Sequence, residues 1–585
     1  MKPVKLLTVA ALLMILFASC SKTPEHAKYI PKDAMMVVGL NTKELSKEIA
    51  WSAITGSKLL DELKKNMPDK AQMAEGLADA GIDVLNTTYF YFTPNAASGS
   101  YNYITAVVPL DDSKKWESYL QKNYKGVAIK EVNKRRETVL EGNIYAAWNN
   151  KVAIVRKALP QPESAVEQPF AMDDRDSTMA APSPEVVPNA VDASKMASDM
   201  EAVFIIQKEN ITDDKRFCKL QEEGNDINMW MNYDVMMARM GSVGGAMVPG
   251  LALGSNLWKE AAMASGLDFE KGKIDAEMKY YVSKDLAEIY SKLSGKQVDK
   301  DMLDRLPGQN INMIFAANIA PEGIKAVMEK MGMLGLMTLG LASANLTADD
   351  VFLSFTGDMA MSVTDFKTYS TQTAIPPISE EAAEAPYTVD HHAISVNYIF
   401  AMKIKDKQRF EKLLNYAKTQ SGLESVGANV YKVAYSDSLF ATVNGEYLVI
   451  SKTPEMGQAF IAGSYKSQAK PERIKKEVYG HPLGMFVDLQ LMLSGAENGD
   501  SDEDKEMMAL LKNLFQDIAL SGGGMKKESF TYNGNLQLMN KDENSLLQFL
   551  DFAYKAQQLS EKYKNKAVNE PVTASEPDST AAMRY

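Results

Sequence analysis

Few side chains in this chain are suited to nucleophilic or metal-binding chemistry, because it contains only two cysteines and four histidines. Cys218 lies in Arg216-Phe217-Cys218-Lys219, where the neighbouring cations would lower the pKa of the thiol and favour the reactive thiolate. No histidine lies near it in the sequence to act as a base. We therefore interpret Cys218 as a buried or unreactive thiol rather than a nucleophile.

The histidines do not form a convincing metal site. Asp390-His391-His392 invites comparison with metal-dependent phosphoesterases, but that chemistry needs further carboxylates and histidines around two ions, and no second cluster of that kind is present. We interpret the pair as the solvated entry to a strand. His26 is assigned to the N-terminal tether, and Gly480-His481-Pro482 is typical of a turn.

No other pattern supplies a catalytic or cofactor site. The sequence has no Gly-x-Ser-x-Gly elbow, no phosphate-binding loop and no dinucleotide fingerprint. Asp500–Asp504 is acidic, but it lacks the central glycine and terminal glutamate of an EF-hand loop. We therefore assign no catalytic residue, metal ligand or cofactor, and predict that the protein is not an enzyme.

Cys20 is different, because it directly follows a segment with the features of a secretory signal. Two lysines precede an uncharged run, Leu6–Ala18, which is shorter than the roughly twenty apolar residues of a spanning helix. Phe17-Ala18-Ser19-Cys20 resembles a bacterial lipobox, with Phe17 in place of the usual leucine. We predict a lipoprotein signal peptide over residues 1–19 and lipidation of Cys20; a plain signal peptide with an incidental cysteine is the alternative.

Lipidation would make the membrane a partner of the mature protein without a spanning segment. Each buried methylene contributes about 0.8 kcal/mol, and two or more acyl chains give a stable anchor. Ser21, rather than aspartate, follows the cysteine, which by resemblance to lipoprotein sorting signals favours the outer membrane. Ser21–Glu25 carries a single acidic residue, so the sequence favours the periplasmic face over the cell surface.

Composition describes the mature body as an ordinary globular protein. The 585-residue chain is 45% hydrophobic and 24% charged, which is enough apolar content for a large core. Its net charge of -12 argues against nucleic acid as a partner. Once Cys20 is lipidated, Cys218 has no cysteine left with which to form an intramolecular disulfide.

Two separate matches at one spacing indicate an internal duplication. Asn102–Ala106 returns 295 positions later as Asn397–Ala401, and Ile144–Asn150 returns at the same spacing as Leu439–Gly445. This period is far longer than the roughly 20–50 residues of solenoid repeats, so a whole domain is repeated. In both copies, Asn149-Asn150 or Asn444-Gly445 separates two runs of β-forming residues, which predicts a hairpin.

The pattern around these matches predicts strands followed by capped amphipathic helices. Asp112 precedes Trp116 and Leu120 at helical spacing, and Asp406 precedes Phe410 and Leu414 in the same way. Similar strand–helix and hairpin–helix segments recur, giving four related units grouped as two domains. The predicted fold class is α+β, a tandem duplication with mostly antiparallel sheets and helices packed on one face. The strands used for this prediction are Ala34–Leu40, Lys273–Val282, Asn312–Asn318, Phe486–Leu491 and Ser529–Met539.

Composition shifts set the predicted boundaries. Residues 159–193 and 565–585 are rich in Pro, Ser, Ala and acidic residues, so they are predicted as a disordered insertion and a disordered tail. The predicted organisation is a signal peptide (1–19), a tether (20–28), a first domain (29–304) that contains the insertion, and a second domain (305–564).

Two apolar, glycine-bearing runs, Met331–Leu341 and Gly244–Leu253, are too short to cross a bilayer. Burial within the fold is the preferred interpretation. The alternative is a groove for an acyl chain or an apolar partner segment, in which small residues permit close approach and methionines adapt to shape. The groove residues would be Met331, Met333, Leu334, Leu336, Met337, Leu339, Leu341, Met247, Val248, Leu251 and Leu253.

Three segments, Cys20–Lys22, Tyr29–Ala34 and Gly357–Phe366, resemble a family of large uncharacterised Bacteroidetes lipoproteins, classed as a domain of unknown function. The resemblance covers most of the mature chain. It implies a location in the cell envelope and brings no activity, cofactor or catalytic residue with it.

Together these features predict an exported, lipid-anchored cell-envelope protein that acts as a non-enzymatic binding or scaffold module. Its partners would be the membrane, through the N-terminal lipid, and an envelope protein or apolar ligand. The first alternative is a carrier or chaperone for lipid or apolar segments. A hydrolase with a dispersed site is the least favoured alternative.

Overall fold

The computed structural model describes residues 23–49, 57–58, 79–94, 101–124, 126–159, 192–205, 209–244, 258–293, 295–330, 332–375, 387–420, 422–434, 436–496 and 501–569. All strands described there form one sheet, and every pairing is antiparallel. Sheet and helices together confirm the predicted α+β class. Among the described residues, no helix is both long enough and apolar enough to cross a membrane.

The twenty strands have these bounds: β1 Met36–Leu40, β2 Thr88–Thr93, β3 Asn102–Pro109, β4 Lys130–Val132, β5 Arg135–Glu141, β6 Ile144–Trp148, β7 Val152–Leu159, β8 Ile227–Asn232, β9 Ala262–Glu270, β10 Lys273–Tyr281, β11 Ile311–Asn318, β12 Phe355–Ile375, β13 Tyr387–Ile404, β14 Leu423–Gly427, β15 Val430–Val433, β16 Phe440–Val443, β17 Tyr447–Ser451, β18 Leu483–Asp488, β19 Phe515–Lys526 and β20 Ser529–Leu538.

The α-helices of the described residues are α1 Thr42–Glu48, α2 Ser113–Asn123, α3 Ala193–Phe204, α4 Lys215–Glu222, α5 Tyr233–Gly244, α6 Lys284–Leu293, α7 Lys300–Asp304, α8 Pro321–Lys330, α9 Met333–Ala342, α10 Ala348–Phe352, α11 Lys407–Gln420, α12 Pro454–Ala462, α13 Glu472–Val478, α14 Leu489–Gly495, α15 Asp502–Leu514 and α16 Ser545–Asn569.

The strand order of the sheet has two matching halves. From the centre outward, the first half runs β10-β9-β8-β1-β2-β3-β7-β6-β5-β4. The second half runs β20-β19-β18-β11-β12-β13-β17-β16-β15-β14, which is the same order with each label raised by ten. A tandem duplication produces this match, so the strand order supports the duplication inferred from the sequence.

The two halves join at β10 and β20, which pair antiparallel with Glu277 opposite Asn533 at the middle of the shared register. A side-chain network crosses this seam. The Asp275 carboxylate on β10 accepts a hydrogen bond from the Asn535 amide on β20, and Asn535 in turn accepts one from Arg473 on α13. Arg473 also donates to Asp517 on β19 at 3.0 Å. The halves are therefore joined by backbone and side-chain contacts rather than by a flexible linker.

The local signals read from the sequence form as predicted. The Asp112 carboxylate caps α2 by accepting from the backbone N–H groups of Lys114 and Lys115. In the two hairpins, the Asn149 side chain accepts from the N–H groups two and three residues later, and Asn444 does the same. Gly445 supplies the positive φ of 77° that this turn needs. Phe486–Leu491 differs in part, because the strand ends at Asp488 and α14 follows.

Helices cover both faces of the sheet, whereas the sequence pattern predicted one. The strands alternate, so Tyr145 and Ala147 of β6 face the core beneath α3 and α4, while Trp148 faces a second core with Trp116 and Leu120 of α2. The second half repeats the arrangement, with Phe460 of α12 and Ile474 of α13 on one side and Phe410 of α11 on the other. The helical layer that contains α3, α4, α12 and α13 was not predicted, because these helices lie in segments of the sequence where no repeat was matched.

The predicted boundary between the two domains, at residues 304/305, falls at the end of helix α7, within a segment that packs in the core of the second half. Val298, Met302 and Leu303, around helix α7, are buried in the core of the second half. The first half therefore ends with α6 at Leu293, since the chain beyond it packs with the strands that follow.

The predicted N-terminal tether and disordered tail are also shorter than expected. Glu25–Tyr29 forms a short 3-10 helix, and Ala27 and Ile30 are fully buried in the first core, so residues 24–28 are part of the fold. At the other end, α16 continues to Asn569 rather than ending at residue 564. Residues 1–22, 160–191 and 570–585, which include the signal peptide and most of the predicted insertion and tail, lie outside the described residues.

Candidate functional site

The predicted apolar groove is only partly within the described residues. Cys20, Met331, Met247, Val248, Leu251 and Leu253 lie outside them, and α5 ends at Gly244, where the second apolar run begins. The remaining six groove residues, Met333, Leu334, Leu336, Met337, Leu339 and Leu341, all lie on helix α9.

Helix α9 begins after Gly332, which adopts the left-handed conformation at φ 70°. The ten residues MLGLMTLGLA give a helix of about 15 Å and include no charged side chain. The hydroxyl of Thr338 donates to the Leu334 carbonyl at 2.7 Å, so the only polar side chain of α9 is satisfied within the helix itself. The outer surface of α9 is therefore apolar on every side.

None of the ten residues of α9 is buried. Leu336 and Leu339 are 73% and 75% exposed and Met333 is 42% exposed, while Leu334, Met337 and Leu341 are half-buried against the protein. The preferred interpretation of Met331–Leu341 as a buried element is therefore wrong over α9. The exposed residues form a projecting helix, which we call the α9 ridge, rather than a concave groove.

A platform formed by the two flanking helices holds the α9 ridge. On its N-terminal side is α8, and on its C-terminal side Leu346 and Ala348 are buried at the start of α10. Lys325 of α8 and Asp349 of α10 form an ion pair at 2.6 Å, which ties the two flanking helices together. The ridge is thus presented by ordered neighbours.

The base of this platform is linked to helix α11 by Asp350. Its carboxylate and the Thr347 side chain form a reciprocal capping box at the start of α10. Hydrogen bonding by Thr347 and the nearby Lys412 ammonium lower the pKa of the Asp350 carboxyl below its ordinary value. Lys412 belongs to α11 and lies 3.1 Å from Asp350, so the helices carrying the ridge are linked to the helix that packs under β13.

An exposed helix with an apolar surface on all sides is unusual in water, because such helices are ordinarily buried in a core or in lipid. Burial of an exposed leucine contributes about 1.5–3 kcal/mol. Leu336 and Leu339 therefore give the α9 ridge a substantial tendency to bind another apolar surface.

A polar cleft in the first half is a second candidate site. The cavity of about 700 Å³ is bordered by Arg156 of β7, Tyr103 of β3 and Asp199 of α3. The Tyr103 hydroxyl donates to the Asp199 carboxylate at 2.5 Å, and the Arg156 guanidinium lies 3.8 Å from the Tyr103 ring centre. Arg156 also donates to Thr105 Oγ1 at 3.2 Å and to the Asp199 carbonyl oxygen at 2.8 Å.

The pKa shifts of these groups indicate a structural role rather than a catalytic one. Burial and the hydrogen bond to Asp199 raise the pKa of Tyr103, and burial raises the pKa of neighbouring Tyr91 to about 12. Arg156 is engaged on several sides, so the cluster ties α3 to the sheet. This cluster was not predicted, because its only signal in the sequence is one arginine within the otherwise apolar start of β7, VAIVR.

The environment of Cys218 fits the unreactive thiol favoured by the sequence, and the expected effect of its neighbouring cations is not seen. Burial raises the pKa of its thiol, and the carboxylates of Glu222 and Asp214 act in the same direction. Arg216, one of the neighbouring cations that could have stabilised a thiolate, forms an ion pair with Asp214 at 2.7 Å. The thiol donates to the Thr212 carbonyl oxygen at 3.2 Å, in keeping with an unreactive cysteine.

The four histidines belong to three different segments of the fold. His391 and His392 are inside β13, opposite Thr371 and Ser370 of β12, so the strand begins earlier than the predicted entry. His481 lies in the turn before β18, as predicted. His26 is packed against Tyr89 rather than lying in a tether. Within the described part of the chain, no group of three or more His, Cys, Asp or Glu side chains is arranged to hold a metal ion.

Comparison with known proteins adds little. No family model matches the chain, and no curated protein matches it. Two crystal forms of TP0453, forms III and I, cover 47% of this chain and 88% of that chain, with sequence identities of 8% and 10% and TM-scores of 0.25 and 0.24. Likenesses this weak carry no argument about the function.

Proposed function

We propose that this protein is a lipid-anchored, non-enzymatic binding module of the cell envelope, and that the α9 ridge binds an apolar segment of a partner protein. The observation that carries the proposal is the exposure of Leu336 and Leu339 on a helix without charged residues. The lipobox around Cys20 and the resemblance to uncharacterised Bacteroidetes lipoproteins support the envelope location, with the periplasmic face of the outer membrane favoured.

The shape and flanks of α9 favour a protein segment over a lipid. A lipid carrier encloses its ligand in a concave apolar pocket, whereas α9 projects as a ridge. Helices that lie in a membrane interface carry several lysines or arginines on a polar face and aromatic residues at the boundary. Residues 321–352 contain only two lysines, Lys325 and Lys330, and no Trp or Tyr.

The anchor is tested by metabolic labelling with an acyl-chain analogue. Wild-type protein should incorporate the label and fractionate with membranes, and a Cys20→Ala variant should do neither, because the thiol is the only acceptor of diacylglycerol in the predicted modification. A Cys218→Ala variant is the matched control and should behave as wild type. An unlabelled wild-type protein would refute the anchor.

The α9 ridge is tested by titrating the purified protein with a fluorescent leucine-rich helical peptide. The Leu336→Glu/Leu339→Glu variant should bind at least about tenfold more weakly, because two leucines no longer transfer to an apolar contact. Leu85→Glu, at another exposed leucine (62% exposed), is the control and should bind as wild type.

Two results would contradict the ridge proposal. Equal peptide binding by wild type and the double variant would show that α9 does not form the contact. Loss of binding to neutral phosphatidylcholine vesicles in the double variant, with peptide binding unchanged, would identify lipid as the occupant and favour the carrier function instead.

A further inference from the structure

A cationic cleft lies at the seam between the halves of the sheet, on the face that carries α4. The cavity of about 630 Å³ lies between α4, β10 and the turn joining β19 to β20. Two carboxylates, Glu277 and Glu528, also border it. The cationic groups are Lys215, Arg216 and Lys219 of α4, Lys279 of β10, and Lys526 and Lys527 at the turn.

Four of these six cations are left for a ligand. Lys279 forms ion pairs with Glu223 and Glu277, and Arg216 forms one with Asp214. Lys215, Lys219, Lys526 and Lys527 are exposed and make no ion pair with any residue that the structure describes. A local excess of positive charge in a chain of net charge -12 attracts anions to this cleft.

The cleft lies close to the point where the chain leaves the fold toward Cys20. The first described residue, Thr23, lies beside the Cys218 side chain of α4. Three further residues of extended chain span at most about 11 Å, so Cys20 stays within that reach of Thr23. Helix α4 carries Cys218 and also Lys215 and Lys219, so a lipid on Cys20 would hold the cationic cleft near the membrane surface.

We propose that the cationic cleft binds the phosphate groups of anionic lipid headgroups in the membrane that carries the anchor; this rests on the proposed lipidation of Cys20. Lysine ammonium groups bind phosphate as point charges and need no fixed bidentate geometry, which suits a fluid headgroup layer. The cleft and the α9 ridge then have different tasks, the first binding the membrane and the second a partner.

The test measures vesicle binding of the full chain with Cys20→Ala, so that no acyl anchor contributes. The vesicles are phosphatidylcholine alone or mixed with phosphatidylglycerol. The added Lys526→Gln/Lys527→Asn pair should weaken binding to the anionic vesicles by about 30-fold and leave binding to neutral vesicles unchanged, since each lysine near such a surface contributes about fivefold. Asn is used at 527 because that residue has φ 57°.

Lys114→Gln/Lys122→Gln on the exposed side of α2 is the matched control, and it should change binding less than about threefold. Raised salt should weaken binding of the parent protein through screening. If the turn variant unfolds at a lower urea concentration, Lys215→Gln/Lys219→Gln on α4 replaces it with the same expectation.

Three results would overturn the proposal. If the cleft and control variants weakened vesicle binding equally, the attraction would be general and not specific to the cleft. If the cleft variant bound anionic vesicles as well as its parent, the cleft would not be the binding site. Calorimetric binding of inorganic phosphate at the cleft without vesicle binding would identify a soluble phosphorylated ligand as the occupant. None of these readouts depends on labelling of Cys20, so failure of the anchor and failure of the cleft can be told apart.

Discussion

At the scale of single residues, His26 is a titratable group held in its neutral form by packing. Its Nε2–H donates to the Thr87 carbonyl oxygen at 2.5 Å, and its ring lies 5.4 Å from the Tyr89 ring. Burial lowers the pKa of His26 below 6.5, although the hydrogen bond to Thr87 and the Asp83 carboxylate act in the opposite direction. The N-terminal segment is therefore held to the fold by an imidazole whose burial disfavours the protonated form.

This arrangement makes stability depend on pH. Below pH 6.5 the unfolded chain binds a proton at His26 that the folded chain resists, so the free energy of unfolding falls as the pH drops from 6.5 toward the lowered pKa. We expect the His26→Gln variant, which keeps a donor for Thr87, to lose less stability than wild type between pH 7.5 and pH 5.5 in urea titrations. His481→Gln is the control and should follow wild type; a wild-type slope in the His26→Gln variant would contradict the assignment.

Residues with a purely local role were predictable, and residues governed by neighbours distant in sequence were not. Asn149 and Asn444 form their turns through groups two and three positions away, so the sequence sufficed. For Cys218 the sequence favoured an unreactive thiol, but it showed only the adjacent cations and not that burial raises the thiol pKa or that Arg216 pairs with Asp214. The lysines of the cationic cleft come from three elements and were not recognised together.

At the scale of elements, the close crossing of α6 and α8 determines how the helices of the α9 platform sit. Gly323 of α8 lies so near α6 that an added Cβ would stand 2.4 Å from the Leu293 backbone nitrogen. In contrast, a Cβ added at Gly335 of α9 would have no atom within 4 Å. The same residue type therefore has opposite significance in two neighbouring helices.

We expect Gly323→Ala to lower the free energy of unfolding by about 1–3 kcal/mol, because the backbones of α6 and α8 must separate. Gly335→Ala should raise it by up to about 1 kcal/mol through better helix propensity. Urea denaturation of both variants measures the difference. A neutral Gly323→Ala variant would mean that the two helices pack more loosely than described.

Element type was more predictable than element environment. The strands and their capped helices follow from periodicity and capping residues, and α8 begins at Pro321, a residue type favoured at the first position of a helix. The run within α9 has no charge and was interpreted as buried, since apolar sequence normally indicates a core. The exposure of α9 depends on how α8 and α10 position it, and the ten residues of α9 alone do not indicate that position.

At the scale of the whole molecule, the seam between β10 and β20 makes one sheet out of two similar halves. The predicted pair of separate domains is therefore corrected to two halves that share a continuous backbone ladder. Each half keeps its own cores on both faces of the sheet. We infer that the halves stabilise one another through the seam.

The distribution of tryptophan allows this coupling to be measured. All five tryptophans, at positions 51, 116, 148, 230 and 258, belong to the first half, so their fluorescence reports that half while far-ultraviolet circular dichroism reports both. In wild type the two signals should change together on urea denaturation. Ala276→Pro, in the middle of the seam, should separate them, because proline removes a ladder hydrogen bond and distorts the strand.

Ser425→Pro is the matched control for this experiment. It lies in β14, at a register shift in an outer strand, where proline is tolerated far better than in a central one. Its two signals should remain coincident. Coincident signals in Ala276→Pro as well would show that the halves do not depend on the seam.

The two ends of the sheet have a consequence for self-association. Because the halves match, the molecule ends in equivalent strands, β4 on one side and β14 on the other, and each has only one described neighbour. Long, flat strands at these positions would let molecules add end to end without closing a ring, which is the geometry of a growing fibre. Strand β4 has only three residues, Lys130-Glu131-Val132, and β14 is short, irregular and largely exposed. The short length of these edge strands disfavours polymerisation of a sheet with two matching halves.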